Sequence, residues 1–148
     1  MEGGNDVLRS VVRLPDNRLV AAYSVHIAPP FDPAGYSRGV SSTQDLAAII
    51  AQETLPVIVG GDFNATVYSP KIHSFAESVA TNDVFISDAS VWPPSSWFSP
   101  GVPGLQMRID HIFVGARVVH AGETVVGPDT GSDHRVLSTS LMLEAKIE

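Results

Sequence analysis

The stretch Val57-Ile58-Val59-Gly60-Gly61-Asp62-Phe63-Asn64-Ala65-Thr66 decides how the rest of this chain is read. Pro56 to Gly60 is short and mostly apolar, the pattern of a central strand buried on both faces. Two glycines end it, and an Asp and an Asn follow at alternate positions. Residues i and i+2 of an extended segment point the same way, so Asp62 and Asn64 aim a carboxylate and an amide at one spot. Such a pair suits a grip on an attacking water and a charged oxygen together. It also suits an Asx-type turn that caps a strand, and the segment alone leaves both readings open.

Outward from this strand, the pattern alternates between strands and helices. Val7 to Leu14 and Leu19 to Ile27 flank Pro15-Asp16-Asn17-Arg18 and read as a strand, a turn and a returning strand. Ala28-Pro29-Pro30 stops the second strand, because proline has no N–H to donate. Phe31 to Val40, with a proline and two glycines, reads as a loop. Ser42 or Thr43 can then cap a helix running to about Glu53, with Leu46, Ile49 and Ile50 on one face. Ser69-Pro70 predicts a second helix start, with Ile72, Phe75, Ala76 and Val79 as its inward stripe.

Further on, Ile86 to Val91 predicts a strand, and Trp92 to Gly104, with four prolines, an irregular surface loop. Met107 to Val114 and Arg117 to Val126 predict two more strands, Gly127 to Ser132 a turn, and Arg135 to Ile147 a long final strand. Strands outnumber helices but helices intervene. The expected class is therefore α/β (α+β): one domain over residues 1–148, with a mixed β-sheet and flanking helices.

The totals narrow the function classes. At 148 residues with 44% hydrophobic and 17% charged content, the chain has the composition of an ordinary globular domain. No run approaches the roughly 18 apolar residues of a membrane span, and the first residues lack the features of a signal peptide. Without cysteine there is neither a disulfide framework nor a thiolate metal site, and the compartment stays open. A net charge of −7 supplies no general attraction to polyphosphate backbones. Bound divalent cations could supply positive charge locally, so a phosphodiesterase is not excluded.

Four clusters carry reactive groups: His26 at a strand end, Asp62 with Asn64, Arg108-Ile109-Asp110-His111-Ile112, and Ser132-Asp133-His134-Arg135. Each has a plain structural explanation. His26 could be a hydrogen-bonded structural histidine. Arg108 and Asp110 could form a same-face ion pair worth roughly 0–1 kcal/mol. Asp133 and His134 could be turn chemistry after a glycine. None of these explains why all four clusters lie in or beside strands, mostly near the ends where loops converge. Three Asp, one Asn and two His make a general acid–base and metal-binding set.

In that order, the strand-terminal His, Gly-Asp-Phe-Asn, Arg-Ile-Asp-His-Ile and Ser-Asp-His resemble the endonuclease/exonuclease/phosphatase superfamily, from about Leu19 to Leu143. The resemblance implies a metal-dependent phosphoesterase. Asp62 would orient or deprotonate water, Asn64 would stabilise the transition state, and His134 would contact the scissile phosphate with Asp110 behind it. Asp133 would ligate Mg²⁺ or Mn²⁺. His26 matches the deoxyribonuclease, sphingomyelinase and phosphatase branches; abasic-site endonucleases typically carry Tyr there. Ser96-Trp97 resembles a step that supports the site loop, and His111, on the face opposite Asp110, is expected to be structural.

Members of that superfamily are usually longer four-layer sandwiches whose N-terminal half carries an Asn and a Gln-Glu segment, the Glu being the main metal ligand. Neither Glu53 nor Glu123 has the expected neighbours. The resemblance therefore covers the C-terminal half, with low metal occupancy and one sheet face left for the missing half or for self-association. The implied substrate is a phosphate ester: nucleic acid, phospholipid head group or small molecule. The alternative is a non-catalytic binding module on the same scaffold.

Overall fold

The computed structural model of the protein describes residues 6–79, 85–86, 96–99, 104–115, 117–120, 122 and 124–144. In chain order the elements are β1 (Asp6–Arg13), β2 (Leu19–His26), α1 (Pro33–Ile50), β3 (Val57–Asp62), α2 (Pro70–Val79), β4 (Phe85–Ile86) and β5 (Trp97–Phe98). They continue with β6 (Gln106–Met107), β7 (Asp110–Val114), β8 (Val118–His120), β9 (Val125–Val126), β10 (Leu137–Ser138) and β11 (Leu141–Leu143). This is an α+β arrangement around a mixed five-stranded sheet in the order β1-β2-β3-β7-β4. β2 and β3 are parallel and joined through α1, as a parallel pair requires a crossover. The other pairings in this sheet are antiparallel.

Alternation along the strands divides the sheet into two faces. Ala21, Tyr23, Val25, Val57, Val59 and Phe113 share the core with Leu46, Ala47 and Ile50 of α1 and Ile72, Phe75 and Val79 of α2. Phe63, just past β3, is fully buried and stands 5.0 Å from Phe113 and 5.5 Å from Phe75, centroid to centroid. Phe75 and Phe113 are themselves 5.1 Å apart. Each such tilted or edge-on pair adds about 0.5–1.5 kcal/mol beyond its burial. The cluster fixes the residue between Asp62 and Asn64 firmly in the core.

The first helix begins well before the position expected from Ser42 and Thr43, and residues 33–40, expected as loop, are helical. Asp32 is the N-cap: its carboxylate accepts from the Gly35 amide at 2.6 Å, and Pro33 occupies the first turn. That proline starts the helix instead of breaking it. Gly35 and Gly39 are where the helix runs against residues 28–30. A Cβ on Gly35 would lie 2.5 Å from the Pro29 carbonyl oxygen. Ser42 and Thr43 are buried mid-helix and donate to the carbonyls of Arg38 and Val40. The helix ends at Ile50, short of Glu53.

The later strands are shorter than expected. Met107–Val114 is split into β6 and β7, because the Ile109 and Asp110 amides donate to Ser96 Oγ and the Ile109 carbonyl accepts from Phe63. Within 117–126, β8 pairs with β11 and β9 with β10. The long strand expected from Arg135 is thereby cut at Thr139-Ser140 into two pieces with different partners. Trp97–Phe98 pairs with β6, a strand inside the expected loop. Ser87 to Val91, Trp92 to Ser95, Glu123 and residues 145–148 lie outside the described residues.

Candidate active site

Register builds the site. His26 of β2 pairs with Asp62 of β3, and Asp62 pairs with Asp110 of β7. Three neighbouring strands thus carry one residue each in a single row, on the sheet face away from the helices. Gly61 permits the close approach of β2 and β3. Its φ is +145°, and a Cβ there would collide with the Val25 carbonyl oxygen.

Asn64 follows in the left-handed region at φ +46°, which Asn tolerates better than most residues. Its backbone N–H donates to Asp62 Oδ1 at 2.7 Å. Its side-chain amide donates to Asp62 Oδ2 and to the Ile27 carbonyl, each at 2.9 Å. The Asx turn and the paired side chains are therefore one structure. Both Nδ2 protons are committed, so Asn64 holds the Asp62 carboxylate, and donation to a phosphate oxygen would have to displace one of these bonds.

His134 arrives from the other end of the chain. It forms an isolated bridge with Trp97, and its backbone N–H donates to Ser132 Oγ. Its Nδ1 lies 2.9 Å from Asp110 Oδ2, and its Nε2 lies 3.9 Å from Asp62 Oδ2. An accepting carboxylate keeps the proton on Nδ1, which donates it to Asp110 in a hydrogen bond, and turns Nε2 toward Asp62. His26 Nε2 is also 3.9 Å from Asp62 Oδ2, with its side chain more exposed. Both separations exceed a direct hydrogen bond but can be spanned by one shared oxygen atom. Burial raises the Asp62 pKa above its ordinary value; the Asn64 amide opposes the shift, Asp110 adds to it, and His134 and His26 oppose it.

Ser96, fully buried, ties the site together by accepting from the Asp110 amide and, through its carbonyl, from Arg135. His111 points into the core. Its Nε2 lies 2.7 Å from the Ala65 carbonyl, and its ring packs edge-on against Phe63 at 5.7 Å. Burial pushes its pKa below 6.5. A histidine held neutral when folded but free to protonate when unfolded costs stability as pH falls below about 6.5. We expect His111→Gln, which can keep the donation to Ala65, to flatten that part of the stability–pH curve. Urea titrations at pH 7 and pH 5 read it; an unchanged slope would exclude His111 as its source.

Asp133 is exposed and offers its carbonyl to the Phe98 amide. Among the described residues no three or more His, Asp or Glu side chains are grouped so as to hold a metal ion. Mg²⁺ and Mn²⁺ demand several oxygen ligands in place together. The described donor set does not fit such an ion by itself, and Asp133 supplies at most one ligand. Glu53 lies elsewhere, bound to Arg9 at 2.7 Å and to Tyr23.

The sequence reading missed Lys71. It is buried on α2, and its Nζ donates to the Phe63 carbonyl at 2.8 Å. Burial lowers its pKa, while the Asp62 charge acts in the opposite direction. Its place as the second residue of α2 carried no signal of this contact.

Across residues 3–134 the chain matches the sequence model of the Endonuclease/Exonuclease/phosphatase family. It belongs to that family. Family enzymes hydrolyse phosphoesters and commonly depend on divalent metals. No curated protein matches the chain in sequence. Among solved structures, a conserved Enterococcus faecalis protein of unknown function is similar with a TM-score of 0.72 at 17% identity, covering 93% of this chain and 56% of that one. The human Nocturnin catalytic domain with bound sulfate gives 0.68 at 17% identity, over 95% and 53%. A Bacteroides thetaiotaomicron mannosyl-6-phosphatase gives 0.62 at 18% identity, over 86% and 52%. At these identities the likeness concerns the fold alone. The chain spans little more than half the length of each of these solved chains.

Proposed function

We propose that this chain is the C-terminal part of a phosphoesterase catalytic domain that hydrolyses its substrate by in-line attack of water. The observation that carries the reading is the His134 imidazole held by Asp110 with its other nitrogen turned to Asp62. In this scheme Asp62 takes a proton from water as the water oxygen bonds to phosphorus. In its imidazolium form, supported by the Asp110 carboxylate at Nδ1, His134 donates from Nε2 to the phosphoryl oxygens and stabilises the charge that develops on them. Asn64 fixes the Asp62 carboxylate, and His26 lines the opposite side. The bond from phosphorus to the ester oxygen breaks, and that oxygen leaves with a proton from solvent.

The proposal includes a Mg²⁺ or Mn²⁺ requirement, with Asp133 as one ligand and the others from the N-terminal half of the domain. The apolar surface of β1, where Leu8 is 65% exposed, is what we propose the rest of the domain covers.

The test is hydrolysis of bis(4-nitrophenyl) phosphate with Mg²⁺ or Mn²⁺, by this chain and by a version extended at its N-terminus. Asp110→Asn is expected to lower kcat roughly 10²–10⁴-fold, and His134→Ala by a similar factor. The double variant should be little worse than either single one, because the two residues act as a unit. Additive losses, or full activity in either single variant, would reject the pairing. Absence of hydrolysis by the extended protein would favour a binding module.

A further inference from the structure

One peptide group lies between two charges just past β3. The Phe63 carbonyl accepts from the Lys71 ammonium at 2.8 Å, and the Asn64 N–H of the same peptide donates to Asp62 Oδ1 at 2.7 Å. The Phe63 ring is fully buried, and its own amide donates to the Ile109 carbonyl. Asn64, at φ +46°, holds a conformation that its surroundings must keep in place. Lys71 is only 6% exposed. A Cβ on Gly39 would lie 3.1 Å from Lys71 Nζ and 3.1 Å from the Ala28 carbonyl oxygen, so this glycine of α1 leaves space for the ammonium. Burying an ammonium is costly, and an apolar side chain of the same length would fill the space without that cost. The Asp62 charge favours the ammonium against burial, and His111 also feels the charge of Lys71.

We infer that Lys71 is a positioning residue, which holds the Asp62 carboxylate and Asn64 in their working orientation through the Phe63–Asn64 peptide. The inference rests on the phosphoesterase reading and extends it to a side chain that acts from behind the site. A cation at the carbonyl oxygen polarises the amide, which makes the Asn64 N–H a stronger donor to Asp62. Ammonium, amide and carboxylate then form a chain polarised in one direction, in which each bond strengthens the next. Without Lys71 the carbonyl loses its charged partner and the Asn64 N–H binds less strongly. The carboxylate is then freer to turn from the direction in which it meets water.

The test compares wild type with Lys71→Met, which fills similar space but lacks the charge and the donor. In the extended protein, kcat for bis(4-nitrophenyl) phosphate is expected to fall about 10–10²-fold, the scale of a misplaced catalytic group, with KM changed less than about twofold. The urea midpoint should stay or rise, since a buried charge is removed. In the chain itself, heteronuclear NMR at pH 7 reads the Asn64 amide proton, which is expected to move upfield in Lys71→Met as its bond to Asp62 weakens. Because the chain has no cysteine, Lys71→Cys can be alkylated in urea with 2-bromoethylamine and refolded, which restores an ammonium at a similar reach. The Asn64 signal should then return toward its wild-type position. The same variant before and after alkylation supplies the comparison if Lys71→Met does not fold.

An Asn64 amide that does not move in Lys71→Met, or that alkylation of Lys71→Cys does not restore, would overturn the inference whatever the protein hydrolyses. So would a kcat equal to that of wild type. A loss of turnover matched by a fall in the urea midpoint would mark a structural lysine and overturn it as well. The NMR comparison needs no hydrolysis. A shifted amide, with no hydrolysis by the extended wild type, would keep the link from Lys71 to Asp62 and reject the phosphoesterase.

Discussion

Gly61→Ala is expected to destabilise the protein by more than about 3 kcal/mol, a large share of a typical domain's stability. Its φ of +145° is costly for any residue with a side chain. The added Cβ would meet the carbonyl oxygen, nitrogen and carbonyl carbon of Val25, all backbone atoms of the neighbouring strand. No rotamer change can relieve such a contact, so β2 and β3 must part where His26 faces Asp62. Gly60→Ala is the control: the nearest atom to its Cβ is the His111 carbonyl oxygen at 4.0 Å, an ordinary contact. It should change stability by less than about 1 kcal/mol. Urea unfolding of both variants reads the difference. Equal, small effects would mean that the two strands separate there without cost.

Asp62→Ala is expected to lower phosphodiester hydrolysis by the extended protein about 10²–10⁴-fold, the usual contribution of a general base. Stability should move differently. Burial, with the nearby Asp110, raises the folded-state pKa of Asp62 above 3.8. A carboxyl whose folded pKa is raised favours folding at low pH and loses that advantage as pH climbs through the folded value. At pH 7 the charged Asp62 is thus an electrostatic cost to the fold, and its removal offsets part of the lost hydrogen bonds to Asn64. The expected result is lost turnover in a protein that still unfolds cooperatively. The wild-type rate should also fall on the acid side as Asp62 protonates. Unchanged kcat in Asp62→Ala would remove it from the mechanism.

The strand ending at Asp62 was legible because its apolar run and the Asp-x-Asn spacing are local. The meeting of Asp62, Asp110 and His134 was legible only through their order, since pairings across dozens of residues leave no periodic trace. His111 could be assigned to the core by parity alone, one position from Asp110 on a strand. The start of α1 was misread because proline and glycine were weighed as loop formers. At Asp32-Pro33 the same residue types cap a helix, and Gly35 and Gly39 serve tertiary approach. The division of the last forty residues into short strands was hidden, because alternation shows a face but not a partner.

The row of His26, Asp62 and Asp110 has a consequence for how the protein becomes competent. One rung of a sheet carries all three, and a slip of a single residue in either pairing would send one of them to the opposite face. The same slip would also drive Val25 or Phe113 out of the core. Misaligned sheets are therefore rejected on hydrophobic grounds before any chemistry is attempted. This row has no assembly step of its own: the core proofreads it.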